Sequence, residues 1–486
     1  MKKITTLLCI AICIINMINA QNKPSGVFMN LFAEDMAQPN AISENGQWAV
    51  GSAFWSGNEN QAGTINASKW NLETGERILL VKENEMSDAL CITNDGKLVG
   101  GSYLGQPAYH LNGEWHTLPM PRGYSDGAGD VVAIAIVNAD TFMIGNIFAG
   151  MESGKITRWK NGEIDENFQY RQHTRWKEIT DEEILAEMEK VRGMSTDAER
   201  YLISLDHNLM PTLGGNLPTT YVQIGSDINH DVTIIEREFD IYDLVSFVEE
   251  ATISFNGKYV CGRMHAVARE GYDAPESPSV SFTYDVDNDE FIHYGDITET
   301  GRFAGASCID NQGHTYFKSI NGNSPLGKPY IYKNGEYIEL EKILLSYNGI
   351  TEAQIDAIVT DEVEDSDEDD LGIVWAVSAD GKTLIGAGGA LKGNIWCAKL
   401  ECSPYDVDSY TNVENITYNK LIATYTNGTI TLSDNANKIE IYSITGAKIM
   451  SKNIEGNTLK AELNKGIYVV KIHHNNQIST SKIIVK

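Results

Sequence analysis

The chain is poor in the motifs that usually announce a mechanism. It has no Gly-x-Ser-x-Gly, no His-Glu-x-x-His and no phosphate-loop glycine pattern, so the common signatures of serine hydrolases, zinc peptidases and nucleotide-binding enzymes are missing. Cysteine is scarce: seven in 486 residues, with Cys9 and Cys13 inside the N-terminal apolar run. The remaining five are odd in number, which excludes a fully paired disulfide framework, and no Cys-x-x-Cys or Cys/His spacing suggests zinc. Basic residues are outnumbered, 38 Lys and Arg against 67 Asp and Glu, for a net charge of −29. That balance argues against nucleic acid, whose phosphates need clustered cations, and against docking on anionic lipid. It fits a self-repelling extracellular protein. Long apolar runs are confined to the start. Lys2 and Lys3 precede the apolar segment Ile4 to Ile15, and Ala20 is a small residue at a cleavage position, so Met1 to Ala20 reads as a secretory signal peptide too short to span a bilayer. No Cys follows Ala20, so a lipid anchor at that cut is not indicated, and the mature chain is expected to lack a transmembrane segment.

Glycine, by contrast, is plentiful at 43, and much of it sits in one recurring pattern. Val377-Ser378-Ala379-Asp380-Gly381-Lys382-Thr383-Leu384-Ile385-Gly386 reads as strand, tight turn, strand. Copies occur at Ile42 to Gly51, at Ile92 with Asp95-Gly96, at Ile253 with Asn256-Gly257 and, more weakly, at Ile309 to Gly313; Val137 to Asp140 is a degenerate one. Asp-Gly between apolar runs predicts a type I′ hairpin turn, which needs φ > 0 at both central residues. Cys91 and Cys308 stand at equivalent points one residue before the repeat's Ile, which predicts core packing. A second hairpin with a preceding aromatic follows most copies: Trp70 to Gly75, Asn112-Gly113, Trp159 to Gly162, Tyr284 to Asp289, and Tyr332 to Gly335. Two linked hairpins give about four strands, and such units recurring every roughly 40–60 residues predict an all-β propeller of about six or seven blades. Trp70, Trp159 and Trp396 fall in the repeat and are expected in its core.

Two segments break the repeat. Thr180 to Glu183 is a capping box followed by Ile184, Leu185, Met188 and Val191 at helical spacing, predicting a helical insertion over about 177–205. Residues 339–371 predict a second insertion: Leu340, Ile343 and Leu344 on one helix, a stop at Asn348-Gly349, a capping box from Thr351 to Gln354, then an acidic run from Asp361 to Asp370 read as a solvated loop. The propeller-like domain is thus expected over 21–401 and a linker over 402–413.

Interrupted Ser-x-Asp-Gly-x-x-x-x-Gly units with an aromatic hairpin resemble the "HAF"-type extracellular repeats of bacterial secreted proteins, which implies a propeller-like fold more than an activity. The last 73 residues, 414–486, have another pattern. Ile439 to Lys448 alternates as a half-buried strand with Thr445-Gly446 at its turn, Leu463 to Tyr468 starts another after Gly466, and the chain ends Lys482-Ile483-Ile484-Val485-Lys486. Alternation predicts a small antiparallel β-sandwich. These landmarks closely resemble the C-terminal sorting domain of the Bacteroidetes type IX secretion system. The resemblance implies that Gly446, Gly466, Lys482 and Lys486 belong to the sorting signal, that the secretion machinery is a partner, and that the protein is released or attached at the outer cell surface.

Candidate chemistry is sparse, and no residue is assigned as catalytic. Asp227, Asn229, Asp231 and Glu238 stand at loop positions 1, 3, 5 and 12, an EF-hand-like calcium spacing, but Val232 replaces the turn glycine and the same stretch reads as another blade turn. Arg171, His173 and Arg175, with Tyr170 and Trp176, form one polar-aromatic cluster; Arg263, His265 and Arg269, with Tyr272, form another. Such groups could hold or deprotonate an acidic sugar; the plainer reading is one solvated strand face. Among 67 acidic residues the sequence singles out no carboxylate pair of the kind glycoside hydrolysis requires. The expectation is a secreted or surface-displayed binding protein with a glycan or protein ligand; the alternatives are a carbohydrate-active enzyme (polysaccharide lyase or glycoside hydrolase) and a structural or adhesive surface component.

Overall fold

The computed structural model describes residues 23–485 apart from 33–36, 56–63, 82–84, 126, 149–153, 171–188, 206–219, 226, 232–241, 269–278, 295–302, 321–327, 359–370, 389–393, 408–422, 427, 444–447 and 475–476. The chain forms two compact units, Met1–Tyr410 and Thr411–Lys486.

The described part of the first unit contains seven antiparallel sheets in chain order. Blade I is Ala37–Ile42, Trp48–Trp55, Thr64–Asn71 and Arg77–Leu79. Blade II is Ser87–Ile92, Val99–Tyr103, Gln106–Leu111 and Glu114–Thr117. Blade III has a split first strand, Ala128–Gly129 and Ala133–Val137, then Asp140–Phe148, Gly154–Lys160 and Glu163–Ile164. Blade IV is Glu189–Met194, Arg200–Leu205, Thr220–Ile224 and Asp227–Asp231. Blade V is Tyr242–Ile253, Tyr259–Ala268, Ser279–Asp285 and Glu290–Tyr294. Blade VI is Phe303–Ile309, Thr315–Ile320, Pro329–Lys333 and Glu336–Glu339. Blade VII is Ile373–Val377, Thr383–Gly388 and Asn394–Leu400, and its fourth strand is Gly26–Phe32 from the beginning of the chain. Each blade's first strand lies against the first strand of the next, and that of VII lies against that of I. This closed ring of first strands makes the unit a β-propeller. The N-terminal strand fastens the last blade, with Phe28 stacked on Trp396 at 5.7 Å.

The core is distributed, one apolar cluster between each pair of neighbouring blades. Trp70, Trp159 and Trp396 are fully buried in it. The indole N–H groups of Trp159 and Trp396 donate to Pro119 O and Leu371 O, both at 2.8 Å. The five described cysteines, Cys91, Cys261, Cys308, Cys397 and Cys402, are free, and the first four are buried. Burial pushes the Cys91 and Cys308 thiols upward and the Cys397 thiol up to about 12, so these are packing groups.

The repeat works differently from a type I′ hairpin. In blade I, Gly46 N donates to Ser43 O (2.9 Å) and Ser43 N to Trp48 O (2.8 Å). That is a type I turn with glycine at its fourth position. Only that glycine takes the left-handed conformation: Gly96 has φ 69°, whereas Asp95 is not among the residues with positive φ. Ser378 Oγ donates to Asp380 Oδ1 (2.7 Å) and accepts from Thr383 N (2.9 Å), and Asp380 Oδ1 also accepts from Lys382 N (3.1 Å). The serine and aspartate therefore satisfy turn N–H groups. Two consecutive positive φ values, as in type I′ turns, occur in outer hairpins such as Asn112-Gly113 (53° and 91°) and, among the inner ones, at the degenerate copy of blade III, Asn138-Ala139 (51° and 70°). The second glycine of the motif faces a bulge. An added Cβ at Gly101 would lie 1.9 Å from Asp88 O.

The helix expected over 177–205 is corrected over 189–205. Residues 177–188 lie outside the described residues, and the rest supplies the first two strands of blade IV. Their turn, Ser195-Thr196-Asp197-Ala198, is a hidden copy of the motif: Arg200 N donates to Ser195 Oγ (3.0 Å) and Ala198 takes φ 59°. Val191 spaces as well for a strand as for a helix, and alanine in the glycine place conceals the turn. In the second insertion, helices α1 (Leu340–Leu344) and α2 (Glu352–Asp356) bury Leu340, Ile343, Leu344 and Ile355 between blades VI and VII. Gln354 Oε1 accepts from Thr351 N at 2.9 Å, closing the capping box. The acidic run Asp361 to Asp370 lies outside the described residues. The linker begins later than expected, because Val407 belongs to the blade VI–VII core and Tyr347 Oη donates to Cys402 O at 2.9 Å. Among the described residues no helix is long and apolar enough to cross a membrane.

The second unit is one five-stranded antiparallel sheet: Ala423–Thr426, Thr429–Ser443, Gly466–His474 and Gln477–Val485, with Lys448–Lys460 also on Thr429–Ser443. Ile439, Ile441, Val470 and Ile472 are fully buried in its own core.

Candidate functional site: the central channel

The first strands enclose a channel of about 590 Å³. Its wall is built from alternating strands, so much of it is aliphatic: Ile42, Ile92, Ile134, Ile253 and Val377 contribute. What adds polar character is a recurring bulge. In blades I, II, IV, VI and VII the ladder slips at Asn40, Leu90, Arg192, Ser307 and Trp375, each three residues before the first residue of the turn motif. A bulge re-aims one side chain, and Asn40, Leu90, Arg192 and Trp375 all line the channel.

These side chains are held from behind. Asn40 Nδ2 donates to Asp88 Oδ1 (2.8 Å) and Ala89 O (2.9 Å) of the next blade. Arg192 is exposed in the channel, and its Nε donates to Ser204 Oγ at 2.7 Å. Trp375 is partly exposed, and its indole N–H has no partner among the described residues. Asp88 also accepts from Ser52 Oγ. Asp130, on blade III, accepts from Asn146 N and Nδ2, both at 3.2 Å. Burial raises its pKa, and the nearby charge of Asp88 raises it further while Lys190 opposes.

The end of the channel at the motif turns is pinched. Thr196 Oγ1 of blade IV donates to Glu44 Oε1 of blade I, across the ring, at 3.5 Å, and to Phe255 O at 3.2 Å. Asn94 Nδ2 donates to Glu44 Oε2 (3.2 Å), and Ala379 N to Glu44 O (2.9 Å). Blade III has only the two-residue turn Asn138-Ala139 there, which leaves Ile136 54% exposed.

The residues singled out from sequence fare unevenly. Arg171, His173, Arg175 and Arg269 lie outside the described residues, as does the side chain of His265. Arg263 is on the second strand of blade V, paired with Glu250 and Ser281 positions, and burial pushes its guanidinium down to about 10. Asp227–Asp231 is not a loop. It is the outer strand of blade IV, paired with Tyr221 to Ile224, and the turn comes earlier, at Gly225 with φ 57°. An EF-hand loop curls round its ion, which a ladder-paired strand does not do; Glu238 lies outside the described residues. Among the described residues no group of three His, Cys, Asp or Glu could hold a metal ion. Gly466 opens its strand opposite Val485, and Lys482 pairs with Val469, while Gly446 and Lys486 lie outside the described residues. Sequence reasoning missed Asn40, Arg192 and Trp375. Their fixed offset before the turn motif was the available signal.

Comparison with known proteins bears on the two units differently. Residues 424–486 match the family described as "Secretion system C-terminal sorting domain". The protein is accordingly exported by type IX secretion to the cell surface or extracellular space. No curated protein matches the chain significantly. Among solved structures, oligogalacturonate lyase from Vibrio parahaemolyticus is similar at 9% identity and TM-score 0.46, over 78% of this chain and 98% of that one. The β-propeller domain of the trilobed protease from Pyrococcus furiosus is similar at 12% identity and TM-score 0.40, over 77% and 98%. TolB from Acinetobacter baumannii is similar at 10% identity and TM-score 0.35, over 61% of this chain and 63% of its own length.

Proposed function

We propose that the protein is a secreted or surface-displayed binding protein whose propeller takes a glycan or protein segment into its central channel. A signal peptide at Met1 to Ala20 would serve the inner membrane and the sorting domain the outer one. The observation that carries the reading is the channel itself: a cavity of about 590 Å³ whose wall is aliphatic and polar in similar measure, with Asn40, Arg192 and Trp375 placed in it by in-phase bulges. Pockets of this size and character hold ligands. Ala41 lines the channel, is only partly buried and packs at the edge of the core between blades I and II, so Ala41→Trp should fill the channel, with its thermal transition as the control for folding. Wild-type protein is expected to retain members of an array of glycans and peptides without cleaving them, and folded Ala41→Trp to lose them. Retention that Ala41→Trp leaves unchanged would remove the channel from the reading.

A second reading, a carbohydrate-active enzyme, is favoured by Asp130, whose carboxyl is held by burial above the usual carboxylate range, as a general acid requires. Release of reducing ends from a retained glycan, abolished in Asp130→Asn, would select it.

A further inference from the structure

We infer that the channel's ligand is the terminal sugar residue of a glycan, stacked on Trp375 and read at its hydroxyls by Asn40 and Arg192; this rests on the channel reading above. Three features of the wall carry it. First, an indole is partly exposed in the channel, and an amphipathic ring of this kind takes the apolar face of a sugar. Second, the neighbouring blade supplies the complementary group. Asn40 spends its Nδ2 on Asp88, Ala89 and Ser52, the last at 3.4 Å, and its Oδ1 accepts nothing among the described residues. The amide is fixed from behind with its acceptor unused, as a preorganised binding group requires. Arg192, oriented through Ser204, adds planar donors to the same level of the wall. A purely apolar ligand would leave the Asn40 acceptor unanswered.

Third, the turn end of the channel is narrowed. The Thr196–Glu44 hydrogen bond crosses it, and Asn94 and Ala379 tie Glu44 in place. A polymer passing through would meet this crossing, whereas a chain end need not reach it.

The test uses the mature protein and a panel of methyl glycosides (glucoside, galactoside, mannoside, N-acetylglucosaminide, glucuronide), read by saturation-transfer NMR and calorimetry. At least one glycoside should bind. Affinity should fall about tenfold or more in Asn40→Ala and in Trp375→Ala, with a smaller loss in Trp375→Phe, which keeps an aromatic face. An immobilised oligosaccharide should be retained when that sugar is terminal and not when it is internal. If no glycoside binds while Ala41→Trp still abolishes retention of an arrayed ligand, the sugar assignment falls and the channel reading stands. If a glycoside binds Ala41→Trp as well as wild type, both fall. Binding lost in Ala41→Trp but unchanged in Asn40→Ala and in Trp375→Phe and Trp375→Ala would overturn the assignment of these residues, and equal retention of internal residues would overturn end recognition.

Discussion

A carboxylate repeated through a chain invites a catalytic reading, yet Asp95 and Asp380 are committed to their own turns. Asp95 Oδ1 accepts from Thr93 Oγ1 (2.8 Å) and Lys97 N (3.1 Å), as Asp380 does from its serine and Lys382. The glycines are equally constrained. Gly101→Ala would drive a methyl against Asp88 O, for which the bulge must shift, and should cost about 1–3 kcal/mol, seen as a lower denaturant midpoint for the propeller. Asp130 is the carboxyl to watch instead. Its folded pKa lies above the unfolded value, so the native state holds the proton more tightly and stability is lost as pH rises between the two values. Asp130→Asn removes that titration and keeps an oxygen to accept from Asn146. Its thermal midpoint relative to wild type should therefore improve from about pH 3 to pH 7, and a constant difference across that range would count against the raised pKa.

At the scale of the element, the blade was readable because turn chemistry and strand alternation agree. The motif located the inner hairpins of blades I, II, V, VI and VII and, in degenerate form, III, and the second hairpins located the outer turns of blades I, II, III, V and VI. Blade IV was hidden because Ala198 stands where the motif has glycine, and because a capping box upstream suggested a helix. The channel was illegible for another reason. A bulge is a property of two paired strands, and nothing in Pro39-Asn40-Ala41 alone says which side chain the slip will turn inward. The same holds for ring closure, since the pairing of Gly26–Phe32 with Asn394–Leu400 joins segments at opposite ends of the propeller sequence. Phe28 is 4% exposed against Trp396. Phe28→Ala should cost about 3–5 kcal/mol by leaving a cavity in the closing blade. Because that strand fastens the ring, hydrogen exchange should rise first in blade VII, and uniform exchange across all blades would show that closure is not the weak point.

For the molecule as a whole, the division into two units with separate cores predicts that export and folding can be separated. The propeller's clusters draw on residues up to Val407, whereas those of the second unit begin at Ala423. Deleting 414–486 should therefore leave the propeller's thermal midpoint unchanged while removing the region that matches the sorting family. In cells the truncated chain should pass the inner membrane and accumulate, folded, in the periplasm. Fractionation would find it there, and protease added to intact cells would not reach it, whereas the full chain would be cleaved at the surface or recovered from the medium. Surface display of the truncated chain at the normal level would show that residues 414–486 are dispensable for export. Loss of the propeller's folding on truncation would show instead that the two units depend on each other, and the binding experiments would then have to be made on the full chain alone.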